Sequence, residues 1–433
     1  MKLKSIKLPH FNNAAEVQSV QITLPQKVVI SMSQHGGVPC TPLVAPGDKV
    51  TAGQLIGSSD AVISAPVHSS VSGTVKEIVK IMNVFGKLND AVVIETDLRQ
   101  EMCPDIKPPV VNSREDFIKA VKESGSVGLG GAGFPTYVKL NYDPKTTQVD
   151  TLVINGAECE PYITSDYRTF MEEGEKVIDG VKLILKYLDL KKAVIGIEAD
   201  KPKAIEKMKA LSADDSRIEV VRLKSVYPQG AEKVLIYNAT GRTVKAGALP
   251  SSAGCIVMNC STAAFISDYI KTGVPLIKRR LTVDGNIVNK PMNLIVPVGT
   301  PISDILAAAN ISKQPDRILQ GGPMMGTAVY DTEAPISKTN NALLLFAETK
   351  EISPTPCIRC GRCIRACSMG LMPAELEHAY NDRNAALLEK LNVNLCMNCG
   401  ACSFVCPGRH NLSEKNQLAK LFLREQGSKG GKK

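Results

Sequence analysis

Eight cysteines between residues 357 and 406 constrain this chain more than any other feature. Cys357-Ile-Arg-Cys360-Gly-Arg-Cys363-Ile-Arg-Ala-Cys367 and Cys396-Met-Asn-Cys399-Gly-Ala-Cys402-Ser-Phe-Val-Cys406 are two copies of C-x2-C-x2-C-x3-C. In such a run three closely spaced thiolates wrap one face of an iron-sulfur cubane, while the fourth reaches across to the neighbouring cluster. The spacing predicts two [4Fe-4S] clusters, one on Cys357, Cys360, Cys363 and Cys406 and the other on Cys396, Cys399, Cys402 and Cys367. Structural zinc sites also begin with C-x2-C, but a closed tetrahedral site has no use for the third cysteine of the turn. Gly361 and Gly400 hold matching places, where a turn can aim backbone N–H groups at cluster sulfides. The first run departs from the second in carrying Ser368 where the second has Pro407. Between the runs, Leu376, Tyr380, Leu387, Leu388 and Leu391 mark helices. Residues 350–425 are therefore expected to form a helix-rich dicluster ferredoxin domain.

A chain of 433 residues exceeds one compact core and predicts three or four domains. No run approaches the roughly 18 apolar residues of a membrane span. The opening MKLKSIKLPHFNN lacks the apolar core of a secretion signal, so a cytoplasmic protein is expected. In that compartment thirteen cysteines mean metal ligation or redox work rather than disulfides. Cys40, Cys103, Cys159, Cys255 and Cys260, outside the two runs, read as small buried residues. The net charge of +9 does not define a nucleic-acid binder, because basic residues are scattered and aromatics are 4% with no Trp. Lys278-Arg279-Arg280 and the terminal SKGGKK read as solvated surface and a disordered tail. An anionic membrane surface or an acidic partner is the other reading of these runs.

Near the front, Pro46-Gly47-Asp-Lys-Val-Thr-Ala-Gly53-Gln and Ala65-Pro66-Val-His-Ser-Ser-Val-Ser-Gly73-Thr-Val sit in short β stretches punctuated by Gly and Pro. This pattern resembles lipoyl and biotinyl carrier domains, which implies a small β sandwich over residues 20–100. A carrier needs a lysine to acylate, and none occurs from Thr51 to Val75. A docking or structural domain is expected.

Centrally, Ser113-Arg-Glu-Asp116 opens a helix with a capping-box variant. Gly128-Leu-Gly130-Gly131-Ala-Gly133-Phe134-Pro135-Thr136 follows. It satisfies G-x-G-x-x-G, but an ordinary dinucleotide site needs a strand before the loop, and here a helix precedes it. The loop by itself reads equally as a phosphate cradle or as a plain turn. Beyond it, the apolar run Ala193–Ile197, a helix near Pro202–Leu211 and the strand Ile218–Leu223 form a βαβ pattern, hence a parallel sheet. The segments Leu281–Val288 and Leu294–Val298, with a helix over Ser303–Ala309, suggest a β-grasp unit. Gly321-Gly322-Pro323-Met324-Met325-Gly326 reads as a rigid turn against another domain.

Gly-Gly-Ala-Gly-Phe-Pro-Thr with a following lysine, then Asn155-Gly-Ala-Glu158-Cys-Glu160-Pro161, resembles the FMN- and NADH-binding subunit of respiratory complex I. With the lipoyl-like front and the dicluster ferredoxin behind, the chain resembles the RnfC family, component C of the Rnf electron transport complexes, over nearly all of residues 20–425. The resemblance implies a multi-domain α/β protein: a lipoyl-like β sandwich over 20–100, a complex I-type FMN/NADH-binding domain over 110–250, a soluble-ligand-binding β-grasp domain over 251–345, and the ferredoxin domain. It also implies that Gly128, Gly130, Gly131 and Gly133 wrap a non-covalent FMN, with Lys139 on its phosphate and Asn155, Glu158 and Asn259 completing the site. For NAD(H), Phe134 and Tyr142 would stack on rings, and Glu160 and Glu232 would bind ribose or nicotinamide groups. A carboxylate there repels the extra phosphate of NADP. The chain departs from the complex I pattern at Ala157 and Ala231, where two acidic contacts are missing.

The implied function is electron input to a membrane-bound, ion-translocating ferredoxin:NAD oxidoreductase, on the cytoplasmic face of the membrane. Its partners would be an iron-sulfur subunit and membrane-embedded subunits, with ferredoxin reached indirectly and no nucleic acid. NADH gives two electrons at once and each cluster takes one, so a flavin must stand between them. Two rivals share the modules: a flavin and iron-sulfur cobalamin reductase, and a non-catalytic electron wire.

Overall fold

The computed structural model describes residues 3–82, 86–350 and 353–430. The front module is built from β2 (Lys27–Ser31), β3 (Thr41–Pro42), β4 (Lys49–Val50), β5 (Leu55–Ser58), β6 (Val67–His68), β7 (Gly73–Met82) and β8 (Leu88–Thr96). They form two antiparallel sheets, ordered β2-β8-β7-β4 and β3-β5-β6. Strand alternation turns Val28, Ile30, Val75, Val92 and Ile94 inward against Ile56 and Val67, giving the expected sandwich core. A short preceding strand, β1 (Val20–Gln21), lies outside this module, with Val20 paired in parallel to Leu294.

In the central domain, the Ser113 hydroxyl accepts from Asp116 N and the Asp116 carboxylate accepts from Ser113 N, so the capping box sets the start of α1 (Arg114–Glu123). The glycine loop runs from there to α2 (Thr136–Leu140). Then follow β9 (Thr151–Gly156), α3 (Ser165–Tyr187), β10 (Lys192–Glu198), α4 (Pro202–Leu211), β11 (Ile218–Leu223), α5 (Glu232–Thr240), β12 (Cys255–Asn259) and α6 (Cys260–Thr272). The strands make a wholly parallel sheet ordered β11-β10-β9-β12. All of β10 after Lys192 is buried, because helices cover both faces. The chain winds outward from β9 to β11, then returns through α5 to place β12 on the other side of β9. That reversal opens a crevice at the carboxyl ends of β9 and β12.

The sheet thus extends past the boundary expected at residue 250, because β12 hydrogen-bonds to β9 and α6 packs on α3. The helix contact is close: a Cβ on Gly180 of α3 would run into the Ala263 carbonyl of α6. Gly180→Ala is expected to force the helices apart and destabilise the protein by about 1–3 kcal/mol. A wild-type thermal midpoint in that variant would disprove the close packing.

The third module holds β13 (Lys278–Asp284), β14 (Met292–Pro297), α7 (Ile302–Ala308), β15 (Arg317–Gln320), β16 (Thr327–Val329) and β17 (Ala342–Phe346). With β1 they form a mixed sheet ordered β1-β14-β13-β17-β15-β16. Leu281, Val283, Leu294, Val296, Leu343 and Leu345 pack against Ile302 and Ile305 of α7.

The solvated reading of Lys278-Arg279-Arg280 fails here. The run lies in β13, in the interior of the sheet, where Arg279 is 4% exposed. Arg279 donates to Leu129 O at 2.8 Å and Asn340 O at 3.0 Å, and Arg280 pairs with Glu172 and Glu173 of α3.

The last module is helical: α8 (Arg362–Ala366), α9 (Pro373–Asn381), α10 (Ala385–Lys390), α11 (Ala401–Phe404) and α12 (Leu412–Gly430). Leu371, Leu376, Leu388, Val393 and Leu423 form its core. The terminal basic run, expected to be a tail, lies in α12 as far as Gly430, and residues 431–433 fall outside the described residues. Of the cysteines outside the two runs, Cys40, Cys255 and Cys260 are buried and Cys103 and Cys159 half-buried. Among the described residues no helix is long and apolar enough to cross a membrane.

Candidate functional site

The crevice collects most of the expected flavin residues. In the β9–β12 pairing Asn155 lies in register with Asn259, at the carboxyl end of each strand. Asn155 holds its own loop, accepting from Ala157 N and donating to Gly230 O at 2.9 Å. Asn259 caps α6 by accepting from Ser261 N, and its amide donates to Asp166 at 2.7 Å. The glycine loop closes over them. Gly128 N donates to Phe134 O and Gly133 N to Gly128 O, while Leu129 is pinned by Thr262 and Arg279.

Gly130, Gly131 and Ala132 form the exposed tip, and among the described residues their N–H groups donate to no protein acceptor. Gly131 has φ +102°, and a Cβ on Gly130 would stand 3.2 Å from the Asn259 amide. Consecutive free N–H groups on such a turn make an anion nest, so the cradle fits the phosphate-bearing FMN. Lys139 of α2 reaches the same edge, donating to Glu232 at 3.0 Å and Val257 O at 3.2 Å.

Two expected residues are placed elsewhere. Tyr142 packs against the central core under the Arg114 guanidinium, 4.8 Å from its ring centroid. Glu160 engages the Gly321–Gly326 turn, where Met324 N donates to its Oε2 at 2.9 Å and a Cβ on Gly322 would collide with its carboxylate. Burial pushes the Glu160 carboxyl from 4.5 up to about 7, against the pull of the Met324 and Met325 N–H groups. The folded chain therefore holds this proton more tightly than the unfolded chain. The resulting stability is complete below about pH 4.5 and is lost as pH rises through about 7. Glu160→Gln keeps an acceptor for Met324 N and removes the titration. It is expected to raise the thermal midpoint at pH 8 but not at pH 4.5, a difference worth about 1–3 kcal/mol; equal shifts at both pH values would count against it.

Beneath the crevice lies a charged group of which the sequence pattern marked only Glu158. Glu158 is buried at the start of α3, accepting from Asp166 N at 2.7 Å, Tyr167 N and Ser165 Oγ. Lys201, 4% exposed, donates to Glu158 O and lies 3.6 Å from Glu198, which is fully buried. Burial and the Asp166 charge push Glu158 up to about 7, and burial pushes Glu198 to about 7. Burial works to discharge Lys201, yet Glu158, Glu198 and Asp200 together hold its pKa above the ordinary value. One lysine among these carboxylates stays charged, while the Glu158 and Glu198 carboxyls titrate late and that of Asp200 is held below its ordinary value. The run Glu198-Ala-Asp-Lys201 at the end of an apolar strand was the available signal, since strand carboxyl ends carry ligand sites in parallel sheets.

The cysteines separate into two sets across the two runs. Cys357, Cys360 and Cys363 line one cavity with Cys406, whereas Cys396, Cys399 and Cys402 line another with Cys367. Gly361 (φ +68°) and Gly400 (φ +76°) take the left-handed turn before α8 and α11, as their matching places suggest. Backbone N–H groups of Leu371 and Asn398 approach the sulfurs of Cys367 and Cys396, each at 3.4 Å. Among the described residues no three ligand side chains close around a single metal ion. Each cavity instead gathers four cysteines, the donor set of a cubane.

One loop links crevice and cysteines. Gly230 of this loop accepts from Asn155, and at its other end the Tyr227 hydroxyl donates to Cys399 O at 2.6 Å. Tyr227, Cys159, Met324 and Cys399 belong to one apolar cluster with Leu8. A glycine nest at the reversal of a parallel sheet, tied through one loop to a cluster cysteine, defines a flavin and iron-sulfur electron-transfer protein.

Comparison with known proteins agrees module by module. Family models match for the RnfC barrel sandwich hybrid domain (residues 3–99), the Nuo51 FMN-binding domain (121–268), the SLBB domain (280–328) and the 4Fe-4S dicluster domain (356–410). Component C of the Na(+)-translocating ferredoxin:NAD(+) oxidoreductase complex of Acetobacterium woodii is 42% identical, over 83% of this chain and 82% of its own. Its counterpart in the proton-translocating ferredoxin:NAD(+) oxidoreductase complex of Clostridium ljungdahlii is 43% identical, over 82% and 78%. The corresponding component of the ion-translocating oxidoreductase complex of Rhodobacter capsulatus is 36% identical, over 87% and 74%. The chain belongs to this RnfC family. Among solved structures, an air-oxidized NAD+-reducing [NiFe]-hydrogenase shares the fold over 74% of this chain and 63% of its own, with a TM-score of 0.53 at 17% identity. This match covers less than two thirds of the hydrogenase chain and bears on fold alone.

Proposed function

We propose that this chain is the electron-input subunit of a membrane-bound, ion-translocating ferredoxin:NAD oxidoreductase, passing electrons between NADH and partner subunits. The observation that carries this reading is the loop from Tyr227 to Gly230, which joins the Asn155–Asn259 crevice to Cys399. FMN, when bound, interconverts the hydride pair of NADH and the single electrons that clusters accept. The chain's own work is placement. Gly128, Gly130, Gly131 and Gly133 shape the cradle, Lys139 supplies charge for the phosphate, and Asn155 and Asn259 offer amides at the crevice floor. Glu158 acts from below by fixing the start of α3 and thereby Asp166, the partner of Asn259. Phe134 borders the cradle as the stacking residue, and Glu232, beside Lys139, is the carboxylate placed for NADH. The eight cysteines hold the clusters in the two sets described.

The partners would be an iron-sulfur subunit and membrane-embedded subunits, with ferredoxin reached through them at the cytoplasmic face. Relatives from complexes named for Na(+) and proton translocation support this assembly. Anaerobic purification with cofactor analysis, followed by absorbance and EPR spectra before and after NADH, tests the reading. Flavin bleaching together with reduced-cluster signals is expected. Intact clusters that stay oxidised, with no flavin released on denaturation, would leave only an electron wire.

A further inference from the structure

The two cysteine sets face different surroundings. Cys399 lies in the apolar cluster with Tyr227 and Met324, against the flavin domain. Cys357 and Cys360 are exposed, as is every residue from 353 to 360. Between these two cysteines Ile358 stands 71% exposed, with Met372 of the same cavity wall 41% exposed. Arg359, Arg362 and Arg365 surround the spot, all exposed. Arg365 donates to Cys360 O at 3.1 Å. None of these three arginines forms an ion pair among the described residues, unlike Arg168, Arg242 and Arg280. Of the acids lining the cavity, Glu377 is matched by His410 at 2.9 Å and Glu375 alone is exposed. The rim is therefore positive.

An isolated surface isoleucine needs no explanation. One flanked by two cluster cysteines and by arginines without acidic partners has the anatomy of a small encounter interface, apolar at its centre and charged at its rim. Such rims steer oppositely charged partners and act mainly on the association rate. We propose that this face docks an acidic one-electron carrier protein, and that the cluster of Cys357, Cys360, Cys363 and Cys406 is the terminal exchanging electrons with it. The cluster of Cys396, Cys399, Cys402 and Cys367 is then the one facing the flavin. The order of clusters rests on the electron path proposed above. One electron passes per encounter, so oxidation of one NADH to NAD+ and a proton reduces two carriers.

The test uses the full chain with both clusters loaded, reduced by dithionite so that docking is measured independently of NADH and flavin. The probe is a small acidic [2Fe-2S] ferredoxin, followed by stopped-flow oxidation and, separately, by equilibrium binding. Association is expected to slow about tenfold between low and high salt. Arg359→Glu combined with Arg362→Glu is expected to slow it about tenfold at low salt and to abolish the salt dependence, with the EPR spectra of both clusters unchanged. Ile358→Ser should weaken binding about tenfold while leaving the salt slope intact. Reversal of a remote charge, Lys313→Glu, should have no effect. Wild-type association in the double arginine variant, or equal slowing by Lys313→Glu, overturns the proposal. So does loss of binding to anionic phospholipid vesicles in the arginine variant with ferredoxin binding unchanged, since the face would then serve a membrane. Failure of NADH to reduce the clusters while docking follows the expected pattern would refute the NADH reading and leave this surface standing.

Discussion

Cys367→Ala is expected to remove the same cluster as Cys399→Ala, although Cys367 belongs to the other cysteine run. Each variant should fall from about eight to about four iron atoms per chain and leave the same residual EPR spectrum. Cys406→Ala and Cys360→Ala should share the complementary spectrum. The geometry behind this is the division of the cysteines between two cavities, each lined by three cysteines of one run and the last cysteine of the other. If Cys367→Ala instead matched Cys360→Ala, each run would hold its own cluster and the crossed wiring would be wrong. Iron analysis with EPR of the dithionite-reduced variants decides the matter.

Lys201→Met is expected to produce the largest loss of stability of any single change away from the cysteines. The substitution keeps the apolar stem but leaves Glu198, fully buried, without its cation 3.6 Å away. Removing one partner from a buried pair costs about 3–5 kcal/mol, because the remaining charge must be neutralised or solvated. Burial already pushes the Glu198 carboxyl up to about 7, so the variant should recover stability as the pH falls and the carboxyl takes a proton. Adding Glu198→Gln should restore much of the loss at pH 8. A Lys201→Met protein with a wild-type thermal midpoint at pH 8, or no rescue by the second change, would show that the group is not coupled in this way.

What could be foreseen in the sequence and what could not divide by the range of the interactions. The cysteine runs, the capping box at Ser113 and the strands and helix of the βαβ pattern are local and appear where their spacing put them, whereas the strand expected over Leu281–Val288 runs from Lys278 to Asp284. The fate of Arg279 and Arg280 is not local. A basic triplet resembles surface until Glu172 and Glu173, more than a hundred positions earlier, are known to pack against it. Glu160 is similar, since its partner is a turn at Met324. The sheet edge at β12 escapes pattern reading because a long connection separates it from β11, and nothing near residue 250 announces that the chain returns beside β9. Lys201 had a signal in its place at the end of an apolar strand, whereas Asp166 carries an ordinary residue type in ordinary surroundings, and only the fold shows that it stands beside Asn259.

The earliest described residues of the chain lock onto its cluster-bearing end. Ile6 exchanges backbone hydrogen bonds with Tyr227, Lys4 donates from its side chain to Ile364 O at 3.1 Å, and the Ser368 hydroxyl donates to Lys4 O at 2.7 Å. The two contacts of Lys4 join positions 360 and 364 residues apart, among the most distant pairings a chain of this length can make. Closing so long a loop carries an entropic cost that is repaid only after both ends have folded, and contacts of this separation form slowly. Electrical continuity between the two redox halves therefore rests on a latch that closes late in folding.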